Sequence, residues 1–267
     1  MQSTDLSMTV SEPTVLAFDF DGVICDGMKE YFQTAWKAYC QIWKLGNLPS
    51  NEDYESQFYR LRPVVETGWE MPILVRAIAA GIEEEKIVQD WTAIATQIVG
   101  EDTLKPLEVS AIVDGIRDQW IESDSESWLL EHRFYPDVVE RLQAILNSSI
   151  QVFIISTKEG RFIKQLLRRR GIEFPENQVY GKEQKRPKYQ ILEELKETFG
   201  ENTKIWFVED RLKTLQVVKR HDKLEDVELF LADWGYNTLA ERTEARNDDR
   251  IHLISLEQFS QDFSTWF

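Results

Sequence analysis

At 267 residues, with 42% hydrophobic and 29% charged residues, the chain can form one large globular domain or a core with a smaller companion. No run of about 18 apolar residues occurs, which excludes a helical membrane span. A formal net charge of −16 repels nucleic acid and anionic lipid and excludes both as generic partners, and it requires any phosphate site to be made locally positive.

Residues 1–12 have neither a basic start nor an apolar stretch and read as a flexible tail, not a signal peptide. Val15 to Asp19 is an apolar run closing on carboxylates, the pattern of a buried strand. Residues 28–128 change character. Tyr31, Ala35, Tyr39 and Ile42 repeat at helical spacing, as do Ile73, Leu74, Ala77 and Ile78, with Pro63 and Pro72 as punctuation. This segment predicts an all-helical insert, in which Trp36, Trp43 and Trp91 serve helix packing.

Tyr135-Pro136-Asp137 marks a return, followed by a helix through Val138, Leu142 and Ile145. Strand-like runs then come at Gln151–Ile155, Lys204–Val208, Val227–Leu231 and, more weakly, Arg250–Ile254. Helical repeats separate them: Phe162, Ile163, Leu166 and Leu167 before Gly171, and Ile191, Leu192, Leu195 and Phe199 before Gly200. Alternating strands and helices predict an α/β class, a Rossmann-like parallel sheet covered on both faces. The division is 13–27 with 129–267 for the sheet core and 28–128 for the helical insert.

Cys25 and Cys40 have no metal-ligand spacing and read as free thiols of a reducing, cytoplasmic compartment. His132, His221 and His252 are scattered, which argues against a zinc site or a Ser-His-Asp triad.

Ligands of open parallel sheets bind at the carboxyl ends of strands. Here the first strand ends in Asp19 and Asp21, the second in Ser156-Thr157-Lys158 and the third in Glu209-Asp210, with Lys185-Arg186-Pro187-Lys188 between the last two. Carboxylates from two strand ends suit Mg²⁺, a hard cation that takes oxygen ligands. A carboxylate can also attack phosphorus, a hydroxyl at a strand-to-helix junction can hold phosphate, and a lysine can neutralise it. The bland alternatives are turn carboxylates at Asp19 and Asp21 and helix caps at Asp210 and Ser156.

This order of parts resembles the haloacid dehalogenase superfamily of aspartate-nucleophile phosphatases. Its D-x-D-G-V motif is similar to Asp19-Phe20-Asp21-Gly22-Val23, with Asp26 following, and its strand ending in Ser or Thr to Val152–Ser156. Thr157-Lys158 and Trp234-Gly235-Tyr236 resemble segments of the phosphoglycolate-phosphatase-like branch. The acidic pair Glu209-Asp210 resembles the fourth motif, and the insert stands where the family carries an α-helical cap. Lys185 best fits the family's lysine-x-proline register, while Lys188 opens the following helix; both stay open as the phosphate-binding lysine, as do Ser156 and Thr157 as the hydroxyl. One departure is Thr214, where the family often has a further acid.

The resemblance implies a Mg²⁺-dependent phosphatase of a small phosphorylated metabolite. Asp19 would be the nucleophile and Asp21 the acid–base group. Asp19, the Asp21 carbonyl and Asp210 would bind metal, with Glu209 compensating for Thr214. Within the insert, Arg62, Glu66 and Trp69 lie in a stretch without clear amphipathic order; they stand either as specificity residues or as an ordinary helix connection. Other classes on the same fold are a phosphosugar mutase, a phosphonate hydrolase using a cap lysine such as Lys29 or Lys37, and a non-catalytic binding protein.

Overall fold

A computed structural model describes residues 12–45, 52–200 and 202–267. The tail expected over 1–12 therefore lies, except for Glu12, outside the described residues. In chain order the elements are β1 (Val15–Phe18), β2 (Cys25–Asp26), α1 (Met28–Ile42), α2 (Glu52–Leu61), α3 (Glu70–Ala79), α4 (Glu84–Glu101), α5 (Pro106–Leu130) and β3 (Arg133–Phe134). There follow α6 (Val138–Leu146), β4 (Gln151–Ile155), α7 (Gly160–Arg169), β5 (Val179–Tyr180), α8 (Lys188–Phe199), β6 (Ile205–Glu209), α9 (Leu212–Lys219), β7 (Glu228–Ala232), α10 (Leu239–Arg246), β8 (Ile251–Ile254) and α11 (Leu256–Ser260). No helix among the described residues is long and apolar enough to cross a membrane.

The chain divides into two compact units, one holding the N-terminal segment as far as Cys25 together with Phe134–Phe267, the other Asp26–Arg133. The first contains a six-stranded sheet in the order β5-β4-β1-β6-β7-β8, with every neighbouring pair parallel. All five apolar runs are strands of this sheet. The sixth, β5, is a two-residue edge strand at Val179–Tyr180, too short to show any period in the sequence.

Side chains alternate between the two faces of a strand. Val15, Ala17, Phe153, Ile155, Ile205, Phe207, Leu229 and Leu231 join Ile191, Leu192, Leu195 and Leu215 of α8 and α9 on one face. The opposite face is aromatic: Phe18 packs on Phe259, and Trp206 on Phe230 and Trp266. Burial on both faces explains why these strands read as continuous apolar runs. At about 1.5–3 kcal/mol for each fully buried large side chain, this core anchors the strand ends.

The second unit is helical apart from its share of β2 and β3. Its core gathers Phe32, Trp36, Phe58, Ile73, Leu74 and Trp91. Trp36 and Trp91 are buried, and Trp43 packs against the same cluster while its Nε1 donates to Asp102 Oδ2 at 2.8 Å. Glu30 of α1 is fully buried; Arg117 of α5 and the Thr34 hydroxyl satisfy its Oε1 at 2.7 and 2.8 Å.

Candidate active site

Sheet register sets the site. β1 lies between β4 and β6, with Phe18 level with Ile154 and Val208. One residue further along, Asp19 therefore emerges at the same edge as Ile155-Ser156 and Glu209-Asp210. Strand order also reverses around β1, with β4 and β5 on one side and β6, β7 and β8 on the other. Such a point is where open parallel sheets bind ligands.

Asp19 is buried, and its Oδ1 accepts from the Phe20 backbone N–H at 2.7 Å and lies 3.0 Å from Lys188 Nζ. Lys188 Nζ also donates to Glu209 Oε2 at 2.6 Å, and Glu209 Oε1 accepts from the Arg211 backbone N–H at 3.0 Å. Lys188 is the first residue of α8, directly after Pro187. A helix dipole disfavours a cation at that end. Burial also opposes the ammonium, yet Asp19 and Glu209 outweigh it and raise the Lys188 pKa above its ordinary value.

Asp210 is held by two hydrogen bonds. Its Oδ2 accepts from the Tyr236 backbone N–H at 2.7 Å, and its carbonyl accepts from Asn237 Nδ2 at 2.9 Å. The same Asn237 nitrogen donates to Ala232 O at 2.7 Å and so ties the ends of β6 and β7 together. Gly22, at φ +88°, leaves room for the carboxylate, since a Cβ there would stand 2.2 Å from Asp210 Oδ2.

Asp19, Glu209 and Asp210 each place a carboxylate oxygen within 4.8 Å of the others, all three buried. Burial, then the neighbouring carboxylates Glu209 and Asp19, push Asp210 well above the usual carboxylate range. Burial also raises Glu209, with Asp19 adding to it and Lys188 opposing. Crowded, dehydrated carboxylates call for a cation. The all-oxygen donor set is of the kind that Mg²⁺ takes, and in that chemical sense the residues fit it.

Asp21 has a different partner. Lys158 Nζ reaches both of its oxygens, at 3.1 and 3.2 Å. Ser156 is buried, while Thr157 is exposed. The lysine at the carboxylates is Lys188, not Lys185, which the lysine-x-proline register favours. Lys185 sits in the left-handed region at φ 51° as the end of a tight turn, and its side chain is exposed. Three residues after that turn, Lys188 is the lysine that reaches Asp19. Thr214 belongs to the first turn of α9 and is outside the carboxylate trio, in which Glu209 is the third member.

In the helical unit, Arg62 is buried, donates from Nη1 to Val65 O at 3.1 Å and stacks over the Tyr31 ring. Trp69 packs on the helical core, and Glu66 is exposed. Glu70 ties this stretch together by accepting from the Glu66 backbone N–H, the Thr67 hydroxyl and Trp91 Nε1. Lys29 pairs with Glu131, and Lys37 lies over the Trp120 ring. Sequence reasoning missed Lys158 and Asn237 as parts of the site. Lys158 was visible only as the end of a Ser-Thr-Lys run, and Asn237 only as the residue after Trp-Gly-Tyr.

A model described as "haloacid dehalogenase-like hydrolase" matches residues 13–222. Among solved structures, a candidate phosphatase from Clostridium difficile is 12% identical, with 93% of this chain and 97% of that one covered and a TM-score of 0.61. A candidate phosphoglycolate phosphatase from Lactobacillus delbrueckii subsp. bulgaricus is 13% identical, covering 91% and 95% with a TM-score of 0.56. A haloacid dehalogenase-like family hydrolase from Streptococcus pneumoniae is 15% identical, covering 91% and 94% with a TM-score of 0.54. At these identities the likeness concerns the fold. A comparison with curated proteins finds none that matches.

Proposed function

The chain belongs to the haloacid dehalogenase-like hydrolase family, and on that premise we propose that it is a Mg²⁺-dependent phosphatase of a small phosphorylated metabolite. One observation carries the reading above the others. Asp19 and Asp210 bring buried carboxylates together beside Lys188 at the carboxyl end of β1. When ionised, the four carboxylates Asp19, Asp21, Glu209 and Asp210 outnumber the ammonium groups of Lys158 and Lys188, and a bound cation would redress that.

In this reading Asp19 forms a bond to phosphorus as the bond to the leaving oxygen breaks, giving an aspartyl-phosphate. Asp21 gives a proton to the leaving oxygen. It then takes one from the water that attacks phosphorus and frees Asp19, help of a kind worth roughly 10²–10⁴-fold. Ser156 and Lys188 hold the phosphoryl oxygens. Asp19, the Asp21 main-chain carbonyl and Asp210 would hold Mg²⁺, which when bound supplies neutralisation of carboxylate and phosphoryl charge. Glu209 is assigned to Lys188 instead, because both of its oxygens are already engaged, one by Lys188 and one by the Arg211 N–H.

The test is phosphate release from a broad panel of phosphorylated metabolites, with and without Mg²⁺, by the native protein and by Asp19→Asn. The expected outcome is Mg²⁺-dependent release from a few members of the panel and none above background in the variant. Equal release by Asp19→Asn, or none by the native protein, overturns the reading.

A further inference from the structure

We propose that Lys158 is the positioning residue for Asp21, holding that carboxylate in the orientation from which it serves the leaving oxygen. The inference rests on the phosphatase reading above and adds a residue to it. Lys158 Nζ lies 3.1 Å from Asp21 Oδ1 and 3.2 Å from Oδ2, so one ammonium clasps both oxygens and opposes rotation of the carboxylate. The pair is largely shielded from solvent, the side chains being 8% and 13% exposed. An exposed pair would contribute little, whereas a buried one carries a desolvation cost and is strongly sensitive to loss of either partner.

The backbone of Lys158 is pinned as well. Its N–H donates to Ser156 Oγ at 3.3 Å, and its carbonyl accepts from the Lys182 N–H at 2.9 Å. The side chain therefore starts from a fixed point at the end of β4 and reaches across to the loop after β1. The two site lysines divide the work: Lys188 is committed to Asp19 and Glu209, and Lys158 to Asp21. The next residue, Gly22, has no side chain to lean on the carboxylate, and the hydrogen bonds that the Asp21 oxygens accept come from Lys158.

Proton donation to the leaving oxygen matters most for a poor leaving group and least for an activated one. Lys158→Met and Lys158→Arg are compared with the native protein on an alkyl monophosphate drawn from the panel and on para-nitrophenyl phosphate, with thermal unfolding recorded for each. For Lys158→Met, kcat/KM, which ends with release of the leaving alcohol, is expected to fall roughly 10²-fold on the alkyl ester and less than about threefold on the aryl ester, whereas kcat falls on both wherever the water step that Asp21 also serves limits turnover. Lys158→Arg, which can also clasp both oxygens, recovers kcat/KM to within about tenfold of native. In an Asp21→Asn background, Lys158→Met causes less than about a further twofold loss, because the group it orients is gone.

Equal losses of kcat/KM on both esters, or a full further loss in the Asp21→Asn background, would overturn the inference and make Lys158 a direct phosphate contact. If Lys158→Met does not fold, Lys158→Gln is put through the same comparison of esters. A native protein inactive on both esters removes the phosphatase reading and this inference with it, which separates that failure from the others.

Discussion

Gly235 lies against Asp210 so closely that a Cβ on the glycine would stand 2.3 Å from Asp210 Cβ and 2.6 Å from Gly22 O. Two glycine backbones thus flank one carboxylate, and the Tyr236 N–H that follows Gly235 fixes its Oδ2. The distance is below any that real Cβ atoms tolerate, and the atoms in the way are backbone or the first carbon of a side chain, so the strand ends themselves would have to shift.

Gly235→Ala is therefore expected to destabilise the protein by about 1–3 kcal/mol, the usual range for overpacking a filled site. It should also weaken Mg²⁺ binding, since the group displaced is Asp210. Thermal unfolding and calorimetric titration with Mg²⁺ check the two parts. An alanine variant with unchanged affinity would mean that Asp210 is not held for the metal.

The two candidate lysines separate cleanly by substitution. Lys188→Met leaves Asp19 and Glu209 buried beside each other without their shared cation, a change of the type that costs about 3–5 kcal/mol. Its turnover should fall by about 10²–10³-fold, as when a donor to the transferring group is removed. Lys185 is exposed on a turn, and Lys185→Met should alter stability by no more than about 0.5 kcal/mol and leave turnover near native. Steady-state kinetics with denaturant unfolding decide between them.

Stability should depend on pH and on metal in opposite directions. Asp210 and Glu209 have folded pKa values raised above the ordinary carboxylate values of about 3.9 and 4.3. The folded protein thus binds protons more tightly than the unfolded chain. The stability that this provides is fully present below the unfolded values and is lost as pH rises through the folded ones, at up to about 1.4 kcal/mol per pH unit for each proton. Without metal, Asp210→Asn should flatten part of that decline. With Mg²⁺ present, binding to the ionised carboxylates should strengthen as pH rises and release protons. Unfolding curves across the acid-to-neutral range, in chelator and in Mg²⁺, report both effects; a metal-free decline unchanged in Asp210→Asn would contradict the assignment.

Much of this is legible in the sequence. Parallel strands buried on both faces must be apolar along their whole length, so Val15–Phe18, Gln151–Ile155 and the later runs announced themselves, and D-F-D-G-V could be put at the end of the first. Helical spacing in the insert was equally plain, because an amphipathic face is a local property of the chain. Elements such as β5 escaped notice because a two-residue strand owes its existence to the neighbour it pairs with.

The partners of the charged groups belong to another order of information. Asp19, Asp21, Glu209 and Asp210 could be named from their positions at strand ends, but which lysine meets which carboxylate depends on the direction in which the chain leaves a turn. Lys185 ends a tight turn in the left-handed region, and it is Lys188, at the start of α8, that meets Asp19 and Glu209. Lys158 meets Asp21 across 137 positions of sequence. Pairings of that kind come from sheet register and packing, which sum over many weak contacts far apart in the chain, and no spacing of residue types encodes them.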